Sequence, residues 1–201
     1  ARSPARTDQP EVSPLPHGAR GHGRTNDLEA LKRAFAFATA RGLPVNGGES
    51  VYALSGNLDV SHASRPWIRS LRLKQLDPVN GRRTLFFDKC QAIRIDSLQI
   101  DVGSRKTVGD MNSTGGLWID GGSNHNVRNV EAFGHGKNSL ISIWSTTNSI
   151  YDGLTVRDAE FDDPDAGDDL IQGIWLQRNV DAVLNKPVVS NLIGNASYVG
   201  Q

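Results

Sequence analysis

The residues able to do chemistry recur at fixed offsets within four short apolar runs. These are Leu85-Phe86-Phe87-Asp88, Leu117-Trp118-Ile119-Asp120, Ile141-Ser142-Ile143-Trp144 and Ile174-Trp175-Leu176-Gln177. If the first and third residue of each run face a core, alternation turns the second and fourth outward. Stacking the runs then forms two outer columns. One reads Phe86, Trp118, Ser142, Trp175; the other reads Asp88, Asp120, Trp144, Gln177. Adjacent strands lie about 4.8 Å apart, so Asp88 and Asp120 become a carboxylate pair. Glycoside hydrolysis uses such a pair, at about 5–5.5 Å for retention or about 6.5–9.5 Å for inversion. Crowding would raise one pKa, as a general acid requires. A turn-forming Asp at a strand end is the structural alternative. Three of the four tryptophans, Trp118, Trp144 and Trp175, share this outer face. Clustered outward indoles imply either a ligand or a covering loop. A sugar ring is one such ligand, because its apolar face stacks on indole.

Other candidates lie between the runs. Residues 162–169 contain Asp162, Asp163, Asp165, Asp168 and Asp169. That density suits a Ca²⁺ site, a catalytic role for Asp168 or Asp169, or a solvated acidic loop, and its spacing is not that of an EF-hand. No other metal site is expected. His135 sits between Gly134 and Gly136 after a strand and is a candidate substrate contact or proton carrier. Lys137, Arg128 and Arg157 are candidate partners for a uronate carboxylate, which β-elimination must neutralise. They form no compact cluster in the sequence.

The elements that would position these residues form a repeat. After each run comes a polar turn and a second apolar strand, with a spacing of roughly 23 to 33 residues that implies a stacked solenoid. The strands are β-branched, so the solenoid is expected to be built of strands rather than helices. Residues 103–116 and 160–172 are insertions at the same point of two coils, and long loops on a rigid scaffold tend to carry function. Residues 1–17 read as a flexible arm. Leu28, Leu31, Phe35 and Ala38 fall on one face of an amphipathic helix over about 26–41. Asn26 and Glu29 have capping-box spacing, and Gly42 follows as a left-handed cap.

The order of motifs at this end resembles a known family. Gly18-Ala19, Gly21-His22-Gly23, Thr25 and Asp27 precede the helix, followed by Gly47-Gly48, Val51-Tyr52-Ala53-Leu54 and Ser55-Gly56-Asn57-Leu58. The pattern resembles the N-terminal region of the pectate-lyase-like, right-handed parallel β-helix superfamily, over roughly residues 18–195. That superfamily includes polygalacturonase-related hydrolases, polyuronate lyases, epimerases and phage tailspikes. His22 stands where the family usually has Asp, and the resemblance implies a structural role for this segment as the cap of the solenoid. Gly134-His135-Gly136 and Asp168-Asp169-Leu170-Ile171 are similar to two motifs of the hydrolases, in reversed order.

The expected fold is therefore all-β: a right-handed parallel β-helix over residues 18–201 with an N-terminal capping helix. The expected function is cleavage of an acidic polysaccharide by paired carboxylates on the outer face. Its alternatives are a polyuronate lyase or a non-catalytic glycan-binding tailspike or adhesin module. Candidate catalytic residues are Asp88, Asp120, Asp168, Asp169 and His135. Candidate substrate contacts are Trp118, Trp144, Trp175, Gln177, Lys137 and Arg157. With 22 basic and 22 acidic residues, the formal net charge is +0, which argues against binding nucleic acid by phosphate neutralisation. No apolar run approaches a membrane span. Cys90 is the one cysteine, so no disulfide closes within the chain and the thiol reads as a small core residue. The Ala start implies either a removed signal peptide or a trimmed chain, and the single cysteine is compatible with bacterial export without showing it; a secreted or periplasmic location, of bacterial or phage origin, is the expectation. The last coil shows no cap, so further coils or a partner chain are expected to stack on that end.

Overall fold

The computed structural model describes residues 10–76, 83–103, 115–136, 139–161, 171–193 and 196–200. In chain order the elements are β1 (His22–Asn26), α1 (Leu28–Arg41), β2 (Val45–Leu54), β3 (Leu58–Ser61), β4 (Trp67–Gln75), β5 (Arg83–Asp88), β6 (Arg94–Ile95), β7 (Leu98–Asp101), β8 (Gly115–Asp120), β9 (Asn126–Gly136), β10 (Ser139–Trp144), β11 (Thr147–Phe161), β12 (Ile171–Gln177), β13 (Val180–Asn185), β14 (Val188–Ile193) and β15 (Ala196–Gly200). The smaller sheet has the order β15-β12-β10-β8-β5-β3; the larger runs β1-β2-β4-β6-β9-β11-β13, with β7 and β14 pairing alongside. Every strand pairing among the described residues is parallel. Neighbours in the smaller sheet come from successive repeats, as in a β-helix. The fold is all-β with parallel sheets and, among the described residues, one α-helix.

Alternation and register together make the core. Leu58, Leu85, Leu117, Ile141 and Ile174 are successive register partners and are fully buried. Phe87, Ile119 and Ile143 form a second buried stack. The larger sheet answers with Tyr52, Leu73, Ile100, Ala132 and Val156. In the last coil the corresponding residues Leu176, Ala182, Leu184, Val189 and Leu192 are only partly buried. Val180, Val183 and Val188 are exposed there.

Five strands of the smaller sheet, β3, β5, β8, β10 and β12, are followed by a left-handed residue: His62, Lys89, Gly121, Ser145 and Arg178 come after Ser61, Asp88, Asp120, Trp144 and Gln177. A non-Gly residue in this conformation costs about 1–2 kcal/mol. A ladder of bonds offsets that cost: the N–H groups of His62, Lys89, Gly121 and Ser145 donate to the carbonyls of Asp88, Asp120, Trp144 and Gln177, at 2.7–2.8 Å. The same turn thus recurs on five successive coils and holds the repeats in register.

α1 packs against β2 and β3 and buries Ala30, Leu31, Ala34, Phe35 and Ala38. Gly42 closes it in the left-handed conformation, φ 64°. The start differs from the expected capping box. Asp27, not Asn26, is the N-cap residue, and Glu29 pairs instead with Lys32 at 2.9 Å. The Asp27 carboxylate is turned back to accept from the N–H groups of Arg20 and Gly21, at 2.7 and 3.2 Å. Asn26 Oδ1 accepts from Ser55 N–H at 3.1 Å, tying the turn to the end of β2. The glycine-rich segment and α1 are therefore locked together by a buried carboxylate. His22 is exposed, with Nε2 3.2 Å from Thr25 Oγ1.

The arm expected to be flexible through residue 17 is anchored from residue 10 onward. Val12 is buried and bridges Val45, accepting from Asn46 N–H at 2.9 Å, and Leu15–His17 form a 3₁₀ turn. Cys90 is fully buried, its thiol 3.1 Å from the Val60 carbonyl.

Candidate functional site

The smaller sheet presents the two expected outer columns. Asp59, Phe86, Trp118, Ser142 and Trp175 are successive register partners. Ser61, Asp88, Asp120, Trp144 and Gln177 form the adjoining column at the left-handed turn. Each of these last residues is the final residue of its strand, so the turn ladder sets its direction.

The aromatic rings zigzag between the columns. Phe86 and Trp118 have centroids 6.2 Å apart at 73°. Trp118 and Trp144 follow at 4.7 Å and 57°, then Trp144 and Trp175 at 4.8 Å and 74°. Ser142, between Trp118 and Trp175 in its column, is small and itself buried. Tilted and edge-on contacts of this kind match the ring quadrupoles and rigidify the string. Trp144 and Trp175 are half-buried. Trp118 is not solvent-facing, being 6 % exposed. Its outward direction was legible in the alternation; its burial arises from neighbouring coils.

Arg83 covers Trp118, with Cζ 3.4 Å from the ring centroid and 4.4 Å from that of Phe86. Burial pushes the guanidinium below its usual value, against the opposing pull of Asp120, Asp59 and Asp88. Sequence reasoning missed this residue. Counting back by twos from Leu85 assigns position 83 to the core face, whereas at the strand start the side chain leaves that face. Its register partner is Gly115, so no side chain stands there between Arg83 and the next coil. A cation three residues before the outward Phe86 was the available signal.

Asp88 and Asp120 are register partners on adjacent coils and both are half-buried. Strand spacing places their backbones about 4.8 Å apart. Among the described residues, no hydrogen bond or ion pair holds either carboxylate; Arg83 and Lys89 are nearby cations. Gln177 lies beside Trp144, half-buried.

The remaining candidates fall elsewhere. Arg157 lies on β11 in the other sheet. It is ion-paired with Glu131 and with Asp158, the latter at 2.6 Å, and lies over Phe133 with Cζ 4.7 Å from the ring centroid. The Arg157 bond holds the Glu131 carboxyl below the usual carboxylate range, helped by Gln99 Nε2, which donates at 2.7 Å. Its charge is thus engaged, and it does not reach the tryptophan face. Arg128 donates to Asn126 Oδ1 at 2.9 Å. His135 lies on β9 opposite Glu160, again in the larger sheet. Lys137, Asp168, Asp169 and the possible Ca²⁺ loop at 162–169 lie outside the described residues. Among the described residues no group of three or more His, Cys, Asp or Glu is placed to hold a metal, and no helix is long and apolar enough to cross a membrane.

No protein-family model matches the chain. No curated protein matches it by sequence. Solved structures do match. One is the crystal structure of PfbA, a surface adhesin of Streptococcus pneumoniae, with 15 % identity, TM-score 0.57, and 85 % of this chain covered against 49 % of that one. Another structure of the Streptococcus pneumoniae surface protein and adhesin PfbA has 14 % identity and TM-score 0.57, covering 89 % and 61 %. The likeness is one of fold. The shared architecture is of the parallel β-helix type, and this chain spans about half to three-fifths of those longer chains.

Proposed function

We propose that this chain is a glycan-binding module of a secreted or surface-displayed protein, built as a right-handed parallel β-helix whose first coil is closed by α1. The observation that carries the reading is the string of four rings, Phe86, Trp118, Trp144 and Trp175, crossing successive coils of one sheet face. Rigid aromatic side chains offer stacking area at low entropic cost. The unclaimed carboxylates of Asp88 and Asp120 beside them are acceptors for sugar hydroxyls. The fold neighbours' description as surface adhesins supports the same direction.

The register pairing of Asp88 with Asp120 favours a second reading, glycoside hydrolysis with these two as acid and base. One experiment separates the two. The chain is screened on a glycan array, and hits are titrated by calorimetry and incubated while reducing ends and unsaturated uronates are assayed. Saturable binding without product supports the module. Reducing ends that disappear in Asp120→Asn establish the hydrolase, and an ultraviolet rise from unsaturated uronate establishes a lyase. Absence of binding across the array refutes the glycan reading.

A further inference from the structure

The two outer columns of the smaller sheet run into a groove at the α1 end of the solenoid. β3 is the end strand of that sheet, and its outward residues Asp59 and Ser61 are the register partners of Phe86 and Asp88. α1 packs against β3. Between them lies a groove of about 430 Å³, within the roughly 300–1,000 Å³ range of small-ligand sites. Phe35, Ala36 and Ala40 line it from α1, and Val60 lines it from β3. Asp59 and Ser61 belong both to this lining and to the columns, so the groove is continuous with the aromatic face.

We propose that this groove is the terminal subsite of the glycan track: it receives one end of the chain and prefers an end sugar that carries a methyl group, in an N-acetyl or deoxy position. This rests on the glycan-binding reading above and deepens it, since the face then recognises glycan ends and not internal stretches. The first argument is direction. The ring string runs Trp175, Trp144, Trp118, Phe86 toward β3, and Phe86 is paired with Asp59. A chain lying along the string therefore advances into the groove, where α1 forms the far wall. The second argument is lining. Phe35 and Val60 are buried, and Ala36 and Ala40 are exposed but small, so the helix leaves the space open instead of filling it. An apolar lining rewards a methyl group by withdrawing it from water. Asp59 and Ser61 remain as acceptors for the hydroxyls of the same sugar. The third argument is charge. Lys32 and Arg83 both act on Asp59, and Lys32 is bonded to Glu29 at 2.9 Å. Cations and carboxylates offset one another at the rim, so fit to the apolar lining, not ligand charge, does the selecting.

The test titrates the full chain, by calorimetry and tryptophan fluorescence, with glucose and N-acetylglucosamine oligomers from trimer to hexamer. Each oligomer is used free and with a bulky substituent on its reducing or its non-reducing end. N-acetylglucosamine oligomers are expected to bind at least about fourfold tighter than matched glucose oligomers, the worth of one buried methyl group. Blocking one particular end should weaken binding at least about tenfold, while blocking the other end should leave it unchanged. Ala36→Phe, or Ala40→Phe one turn on, fills the groove from an exposed helix position. Each should lower affinity at least about tenfold with circular dichroism unchanged. Binding indifferent to blocks at both ends means internal recognition, which overturns the inference and leaves the glycan reading intact. So does binding indifferent to both filling variants, which leaves the groove to another occupant such as a peptide strand added to β3. Glucose oligomers that match or exceed the acetylated series remove the methyl preference and overturn it too. Failure of every sugar on the array to bind removes the glycan reading, and this inference with it.

Discussion

Replacing Trp118 with alanine is expected to unfold the protein more readily before it says anything about binding. An indole side chain offers about 200 Å² of surface. Trp118 is 6 % exposed, so nearly all of that is withdrawn from water. At about 25 cal/mol per Å², the gross contribution is about 5 kcal/mol. Alanine retains a small part, and the Phe86 and Trp144 rings can relax into the space, removing about a fifth of the cost. The net loss is about 4 kcal/mol, within the roughly 3–5 kcal/mol range of buried Trp-to-Ala changes. Equilibrium urea unfolding followed by far-ultraviolet circular dichroism measures it. With a slope near about 2 kcal/mol per molar, the midpoint should fall by about 2 M. Trp175→Ala, at a half-buried ring, should move it by about half as much. A Trp118→Ala shift below about 0.5 M would show that the ring is not covered in solution, and the packing argument for the aromatic string would fail.

Because Trp175 is the more accessible ring, Trp175→Ala is expected to weaken glycan binding at least about tenfold while the folded spectrum persists, as calorimetry on the soluble variant can establish. His125 is buried, with Nδ1 accepting from Ile93 N–H at 3.2 Å and Nε2 3.2 Å from the Gly121 carbonyl, and burial pushes its pKa below 6.5. The unfolded chain therefore binds a proton that the folded chain refuses, so the His125 contribution is full above about pH 6.5 and is lost progressively below it. Urea midpoints between about pH 5.5 and 6.5 should fall in the parent and flatten in His125→Gln; parallel slopes would contradict the assignment. Asn179 accepts from Thr146 N–H and Oγ1 at 3.0 and 2.8 Å and donates to the Ile143 carbonyl at 3.0 Å. Asn179→Ala should cost about 3 kcal/mol, since Thr146 and Ile143 are fully buried, and Asn179→Asp should fall between; a urea midpoint equal to the parent's would refute the role.

What was legible from the amino-acid order alone was everything that depends on period and coil length. Leu85, Leu117, Ile141 and Ile174 stack because alternation selects a face and the repeat selects a register. That same logic put Trp118 beside Ser142 and Asp88 beside Asp120. The helix face and its Gly42 end were equally local. Cap details were not, because Asn26 and Asp27 both suit a helix start and only the approach of β2 and of Arg20-Gly21 decides which job each takes. The tertiary structure also decided accessibility. Alternation says that Trp118 points away from the core; Arg83 and Phe86 from the coil on one side and Trp144 from the coil on the other determine that it is nevertheless buried. Likewise Arg157 looked free in sequence but meets Glu131, 26 residues away, on the neighbouring coil. Periodicity encodes direction within one strand. Burial and charge pairing are properties of side chains from several coils meeting, and no single stretch of sequence contains them.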